Sequence, residues 1–181
     1  MKELFNKYKS VLRFVAIFIG GYFLLSIAYG FYLDLSKEGV YSPDLITHLV
    51  AKQSGALLQG LGYDGGVKAI ATEPAMVLYL NDTIVARVVE GCNAVSIIIL
   101  FIAFVVSFYQ KFKKTFLFIL AGTVLIYSVN IIRIALLTIA LYSYPEYEHI
   151  LHGVLFPAII YGMVFLLWII WVRILKPTQD V

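Results

Sequence analysis

A lone thiol, a guanidinium deep in an apolar run and two histidines three residues apart are the reactive groups of this chain. Cys92, in "VVEGCNAVSI", is the only cysteine among 181 residues, so no internal disulfide is open to it. Arg133 stands in "NIIRIALLTIALY". Asn130 lies three residues earlier, on the same face of a helix, where it could hold the guanidinium or bridge helices. His149 and His152 stand in "EYEHILHGVLF". A thiolate attacks carbonyls, but a thiol is mostly protonated at neutral pH and needs activation. A histidine can take that proton and later give it to a leaving amine. An arginine stays protonated, so it serves charge: a thiolate, or the oxyanion of acyl transfer. These types together point to cysteine-based acyl transfer.

Each group also has a plainer use. A single cysteine at the edge of an apolar run is commonly a small filler. An arginine near the end of a span can snorkel to the headgroups. Histidines at i, i+3 beside Glu146 and Glu148 could cap an interface or hold a metal, though the ligand spacing is a weak signal and no metal or other cofactor is expected. Glu90, two residues before Cys92, opposes a thiolate unless a cation pairs with it. The alternative to an enzyme is a non-catalytic membrane subunit, with Arg133 and His152 binding a partner helix.

The elements that must position these groups are membrane helices. The chain is 61% hydrophobic and 14% charged, with a mean hydropathy of +0.90; soluble domains run at about 45–50% apolar and about 25% charged. Apolar blocks predict four spans, at about 11–32, 93–109, 115–142 and 150–172, each near the length of about 20 residues that a bilayer requires. The blocks do not alternate as barrel strands do. The first exceeds the apolar core of about 7–15 residues in a signal peptide and reads as an uncleaved span. The fold expected is all-α: a single multi-pass membrane domain over 1–181, with a small extracytoplasmic segment, 33–91, between helices one and two.

Orientation follows from the basic residues. Lys2, Lys7, Lys9 and Arg13 precede span one, Lys111, Lys113 and Lys114 crowd the loop between spans two and three, and Arg173 and Lys176 follow span four. Short loops rich in Lys and Arg stay in the cytoplasm, so one topology satisfies all three groups, with both termini inside. The net charge of +3 belongs to this pattern and implies membrane lipid rather than nucleic acid as a partner. Trp168 and Trp171 are expected in the aromatic belt at the inner end of span four.

Within 33–91, "SPDLITHLVAKQSGALLQGL" reads as an amphipathic helix, with Ser42 as N-cap, Pro43 at the first helical position and Asp44 in the first turn. Leu45, Ile46, Leu49, Val50, Ala56 and Leu57 fall largely on one face; His48, on the polar side, is read as structural. "GYDGG" breaks the chain. "AMVLYLNDTIVARVV" reads as two strands around Asn81-Asp82. In this topology Cys92 sits at the outer N-terminus of span two, where the helix dipole favours a thiolate. Arg133 lies near the outer end of span three, and the histidines at the outer start of span four. Thiol, guanidinium and imidazole share one membrane level.

"EGCNAVSI", "NIIRIALL" and "HILHGVLFPAIIYG", in that order over roughly residues 85–172, resemble the three signature regions of the exosortase/archaeosortase family. The short length and the "FPAIIYGMVFLLW" ending look most like the exosortase F subgroup. The resemblance implies a thiol protease and transpeptidase of the bacterial inner (cytoplasmic) membrane, with its active site on the extracytoplasmic side. Its substrates would be membrane-anchored exported proteins carrying a C-terminal sorting signal, cleaved through a thioester. It implies Cys92 as nucleophile, Arg133 as the second active-site residue and His152, which precedes "GVLFP", as the third, with His149 as alternate. Asn93 and Asn130 are the candidate substrate-binding residues. Better-known exosortases carry Cys-Ser-Gly where this chain has Cys92-Asn93-Ala94, which leaves the oxyanion donors unassigned.

Overall fold

The computed structural model describes residues 2–37, 39–41, 43–70 and 73–175, with side chains described from residue 8 to residue 174 of these. Ser42 and Lys176 lie outside the described residues. Helix α1 (Lys2–Ser36) leads into α2 (Leu45–Gly60), a sheet of β1 (Gly65–Ala69), β2 (Met76–Leu80) and β3 (Thr83–Val88), and a 3₁₀ turn over Glu90–Cys92. Then come α3 (Val95–Ser107), α4 (Phe112–Ser143), a short turn α5 (Glu148–Ile150), a π-helical turn over Leu151–Leu155 and α6 (Phe156–Leu175).

The chain is mostly helical, but not all-α. The strands form an antiparallel sheet in the order β1-β2-β3. The hairpin at Asn81-Asp82 forms as the sequence predicts. Both residues take positive φ, 47° and 61°, as a two-residue turn requires and as Asn and Asp tolerate. Strand β1 escaped the sequence reading because its Gly65-Gly66 looks like a breaker. Those glycines let the backbone lie against β2: a Cβ at Gly65 would strike the Tyr79 carbonyl, and one at Gly66 the Tyr79 hydroxyl.

Three helical stretches are long and apolar enough to cross a membrane: Tyr8–Ser36, Phe112–Ser143 and Pro145–Ile174. The expected span at 93–109 is the exception. Its helix α3 covers 13 residues, about 20 Å at 1.5 Å per residue, short of the hydrocarbon thickness of about 30 Å. The reason is local: Asn93 and a left-handed Ala94 stand before the helix, and Phe108 caps its other end. α3 packs against α1, α4 and α6, and Phe101, Val105, Ile126, Val164 and Trp171 form a core among them. Gly122 of α4 admits the Phe101 ring, which a Cβ would displace. Trp171 is buried and stacks on Phe118 at 4.7 Å, while Trp168 is half-buried and stacks on Phe104 at 4.3 Å. On α1, Ile19, Phe23, Leu24, Ile27 and Phe31 are exposed, the surface a lipid-facing helix presents.

Helix α2 and the sheet make a cap on one end of the bundle. α2 starts two residues later than expected. Asp44 is its N-cap, accepting from the amides of Ile46 (2.9 Å) and Thr47 (3.1 Å) and from the Tyr32 hydroxyl (3.1 Å), so Pro43 precedes the cap. The buried stripe is Thr47, Val50, Ala51, Ser54, Gly55 and Leu58, whereas Leu45, Leu49 and Ala56 remain exposed. The stripe joins Met76, Leu78, Leu80 and Val88 of the sheet and Ile134 and Ala135 of α4 in a second core. The far half of α4 is thus the floor of the cap, and this sets where the reactive groups stand.

Candidate active site

Cys92, Arg133 and His152 line one cleft of about 240 Å³. Three separate pieces of chain bring them there: the 3₁₀ turn after β3, the upper half of α4 and the π turn before α6. Residues 85–88 of β3 form one wall, and Arg133, Ile134, Leu137 and Leu141 of α4 supply another. Glu148 completes the lining, one helical turn before His152. His149 is not among the lining residues.

The thiol's local setting differs from the sequence expectation. Cys92 ends the 3₁₀ turn, its amide donating to the Val89 carbonyl at 2.8 Å, and α3 begins only at Val95. The dipole of a long helix therefore does not start at the sulfur. Cys92 is half-buried and packs at the margin of the cap's core. Its backbone is held from α4: Asn130, 1% exposed, donates through Nδ2 to the Cys92 carbonyl at 2.8 Å. Asn130 thus fixes the nucleophile candidate to the helix that carries Arg133, and it is not a lining residue.

Asn93 is likewise engaged elsewhere. It is 1% exposed, and its Nδ2 donates to Tyr29 Oη (2.7 Å) and Thr47 Oγ1 (2.9 Å) while its Oδ1 accepts from the Val95 amide (2.9 Å). One side chain ties α1, α2 and the start of α3 together. The sequence reading set both asparagines toward substrate; their amides instead hold the scaffold behind the cleft, because a buried amide must find partners and these helices supply them.

Ala94 takes φ 65°, ψ 4° as the N-cap of α3. A non-glycine residue in this left-handed region costs about 1–2 kcal/mol. The left-handed Ala94 therefore carries a backbone penalty two residues from the thiol. Ala94→Gly is expected to be neutral or mildly stabilising. Ala94→Val, β-branched at positive φ, is expected to cost about 1–3 kcal/mol, read as a lowered midpoint of thermal unfolding in detergent.

Arg133 Nε is buried with no hydrogen-bond partner among the described residues, as is Asn130 Oδ1. Arg133 borders the cleft with Cys92, and a guanidinium carries five N–H donors, so a carbonyl oxygen bound in the cleft has a donor group beside it. His152 owes its position to Pro157. The proline has no N–H for the Gly153 carbonyl, and its ring would clash with that carbonyl in a regular helix. The turn over Leu151–Leu155 widens into a π-helix, a feature frequent at functional sites.

Several lining residues were not foreseen. Glu148 could have been found from its i, i+4 spacing to His152. Arg87, held by Glu73 at 2.6 Å, and the strand wall had no local signal, since their place depends on how the cap docks.

Neither a curated protein nor a solved structure matches the chain. The model of one family, transmembrane exosortase, matches residues 11–172, which takes in all three cleft-forming segments as well as the cap. By that match, over most of its length, the chain belongs to the transmembrane exosortase family.

Proposed function

We propose that this protein is a membrane-embedded cysteine peptidase and transpeptidase, acting on exported, membrane-anchored proteins with C-terminal sorting signals. The observation that carries the reading is the shared cleft: the only thiol of the chain faces the same cavity as a guanidinium and an imidazole from two other segments. We assign the chain to the F subgroup on its "GVLFP" and "FPAIIYGMVFLLW" segments.

In this reading His152 takes the proton from Cys92 Sγ as the sulfur bonds to the scissile carbonyl carbon. The Arg133 guanidinium donates to the carbonyl oxygen as it gains charge. The tetrahedral adduct collapses, the C–N bond breaks, and the imidazolium returns its proton to the leaving amine. What remains is a thioester on Cys92. An acceptor amine, or water, then attacks that carbonyl and gives its proton to His152, and the C–S bond breaks to restore the thiol. The substrate is itself anchored in the bilayer, so its cut site arrives at the height of the cleft, and tethering raises its effective concentration.

The cleft lies at the end of α3 opposite the Lys111–Lys114 turn. With lysine-rich turns held inside, the active site faces the extracytoplasmic side of the inner membrane, and the cap is the extracytoplasmic segment. The test is mass spectrometry of the C-termini of exported membrane proteins in cells carrying the wild type or Cys92→Ala. A protein shortened at its C-terminus only with the wild type is the substrate; identical C-termini in both strains would overturn the proposal.

Arg133 has a graded expectation. Arg133→Gln should slow turnover by about 10²–10³-fold, the effect of losing one oxyanion donor, with the amount of membrane-inserted protein unchanged. Arg133→Lys keeps the charge but not the planar, directed N–H, and should recover only part of the rate in a pulse-chase of substrate shortening.

A further inference from the structure

The wall of the cleft is the edge of a strand, and this decides what shape of substrate it takes. Side chains of a strand alternate between its two faces, so a cavity over one face meets every second residue. The cleft at Cys92 meets Val85, Ala86, Arg87 and Val88 in succession. A second cleft of about 280 Å³ meets Thr83, Ile84 and Val85. The two clefts thus follow β3 along its length, past a bulge at Val85 where its pairing with β2 shifts. β3 is the last strand of its sheet, and no described backbone hydrogen bond joins residues 83–88 to anything but β2. The two clefts share Val85, Leu141 and Glu148. Side by side they follow β3 as a trough of two adjoining clefts, about 20 Å along its six residues at about 3.3 Å per residue, and the first of them is lined by the thiol.

We propose that this trough binds substrate as an added β-strand. An extended stretch of the membrane-anchored substrate pairs its backbone with the free edge of β3, which places the scissile bond at Cys92. The proposal rests on Cys92 being the nucleophile. Its occupant is an extended peptide for two reasons: the unpaired N–H and C=O groups of a strand edge are met in full by another strand, and the cleft that follows residues 85–88 is also lined by Cys92. Such pairing reads backbone rather than sequence, so specificity falls on alternate side chains, which meet the α4 wall at Leu137 and Leu141.

The direction of the added strand also follows. The hairpin turn is tied to the far end of α4, where Asn81 Nδ2 donates to Tyr142 Oη at 2.9 Å. The Cys92 carbonyl is tied to Asn130, twelve residues earlier on α4 and about 18 Å away at 1.5 Å per residue. β3 thus runs down α4 toward the bundle. A substrate anchored by a helix beyond its cut site also runs from its outer domain toward the bilayer, so the two strands lie parallel.

The experiment uses cysteine cross-linking in intact membranes, which the single native thiol makes clean. Thr83→Cys or Ala86→Cys is placed in a Cys92→Ser background. Single cysteines are then scanned through the segment preceding the cut in the exported protein whose shortening is lost in Cys92→Ala cells. A disulfide bridges Cα atoms only about 4.4–6.8 Å apart. The expected result is a cross-link at every second substrate position, moving toward the substrate's C-terminus as the probe moves from Thr83 to Ala86. A repeat of three to four positions, or no cross-link while Cys92→Ala still blocks shortening, overturns the added strand and leaves the nucleophile standing. A register running the other way overturns the parallel arrangement. Shortening that survives Cys92→Ala removes the reading beneath both.

Discussion

Replacing Cys92 by alanine is expected to lower substrate shortening by about 10⁴-fold or more, because removing a covalent nucleophile removes the reaction path and not one contact along it. The substitution should leave the fold nearly intact. Cys92 is only half-buried, and the backbone grip of Asn130 on its carbonyl does not involve the sulfur. The loss is that of one small apolar group, a destabilisation on the order of 1 kcal/mol. Cys92→Ser, close in size but with an unactivated hydroxyl, should be equally inactive. A membrane-impermeant maleimide applied to intact cells reports on this residue alone, since the chain has no other cysteine. Labelling of the wild type and none of the Cys92→Ala variant places the thiol on the outer surface. If both variants keep normal shortening, covalent catalysis at Cys92 is wrong.

The histidines should separate cleanly. His152→Gln is expected to slow turnover by about 10²–10⁴-fold, the usual contribution of a positioned acid-base group, while His149→Gln should leave it within about twofold of wild type, as expected of a surface change away from the site. The basis is geometric. His152 borders the cleft with Cys92 and Arg133, and His149 does not. The π turn over Leu151–Leu155 separates the two, so their i, i+3 spacing does not put both imidazoles into the same cavity. The measurement is the initial rate of substrate shortening at equal amounts of membrane-inserted protein. Equal losses from both variants would point to a shared structural part and away from one acid-base residue. Pro157 makes a further check on the same element, for its ring is the reason the turn is wide.

Much of this protein was legible in the order of its residues. Apolar blocks are a local property, and three of the four expected spans correspond to helices long enough to cross a bilayer. The Asn81-Asp82 turn was legible because two residues at positive φ have few chemical options. The order of Cys92, Arg133 and His152 along the chain was legible as well, and so was the resemblance to the family whose model the chain matches. What could not be read locally was which polar groups would meet. Asn130 reaches the Cys92 carbonyl across 38 residues, and Asn93 reaches Thr47 across 46. Either amide on its own reads equally well as a substrate contact. The strand β1 hidden by Gly65-Gly66 and the wall that β3 gives the cleft were decided by the docking of the cap on α4, whereas the short α3 and the place of His152 follow from the backbone at Ala94 and Pro157. Hydrophobic pattern and charge specify where each segment sits relative to the bilayer. Close packing of distant segments decides which side chains face one another, because buried polar groups take whatever partners the tertiary arrangement brings within hydrogen-bond reach.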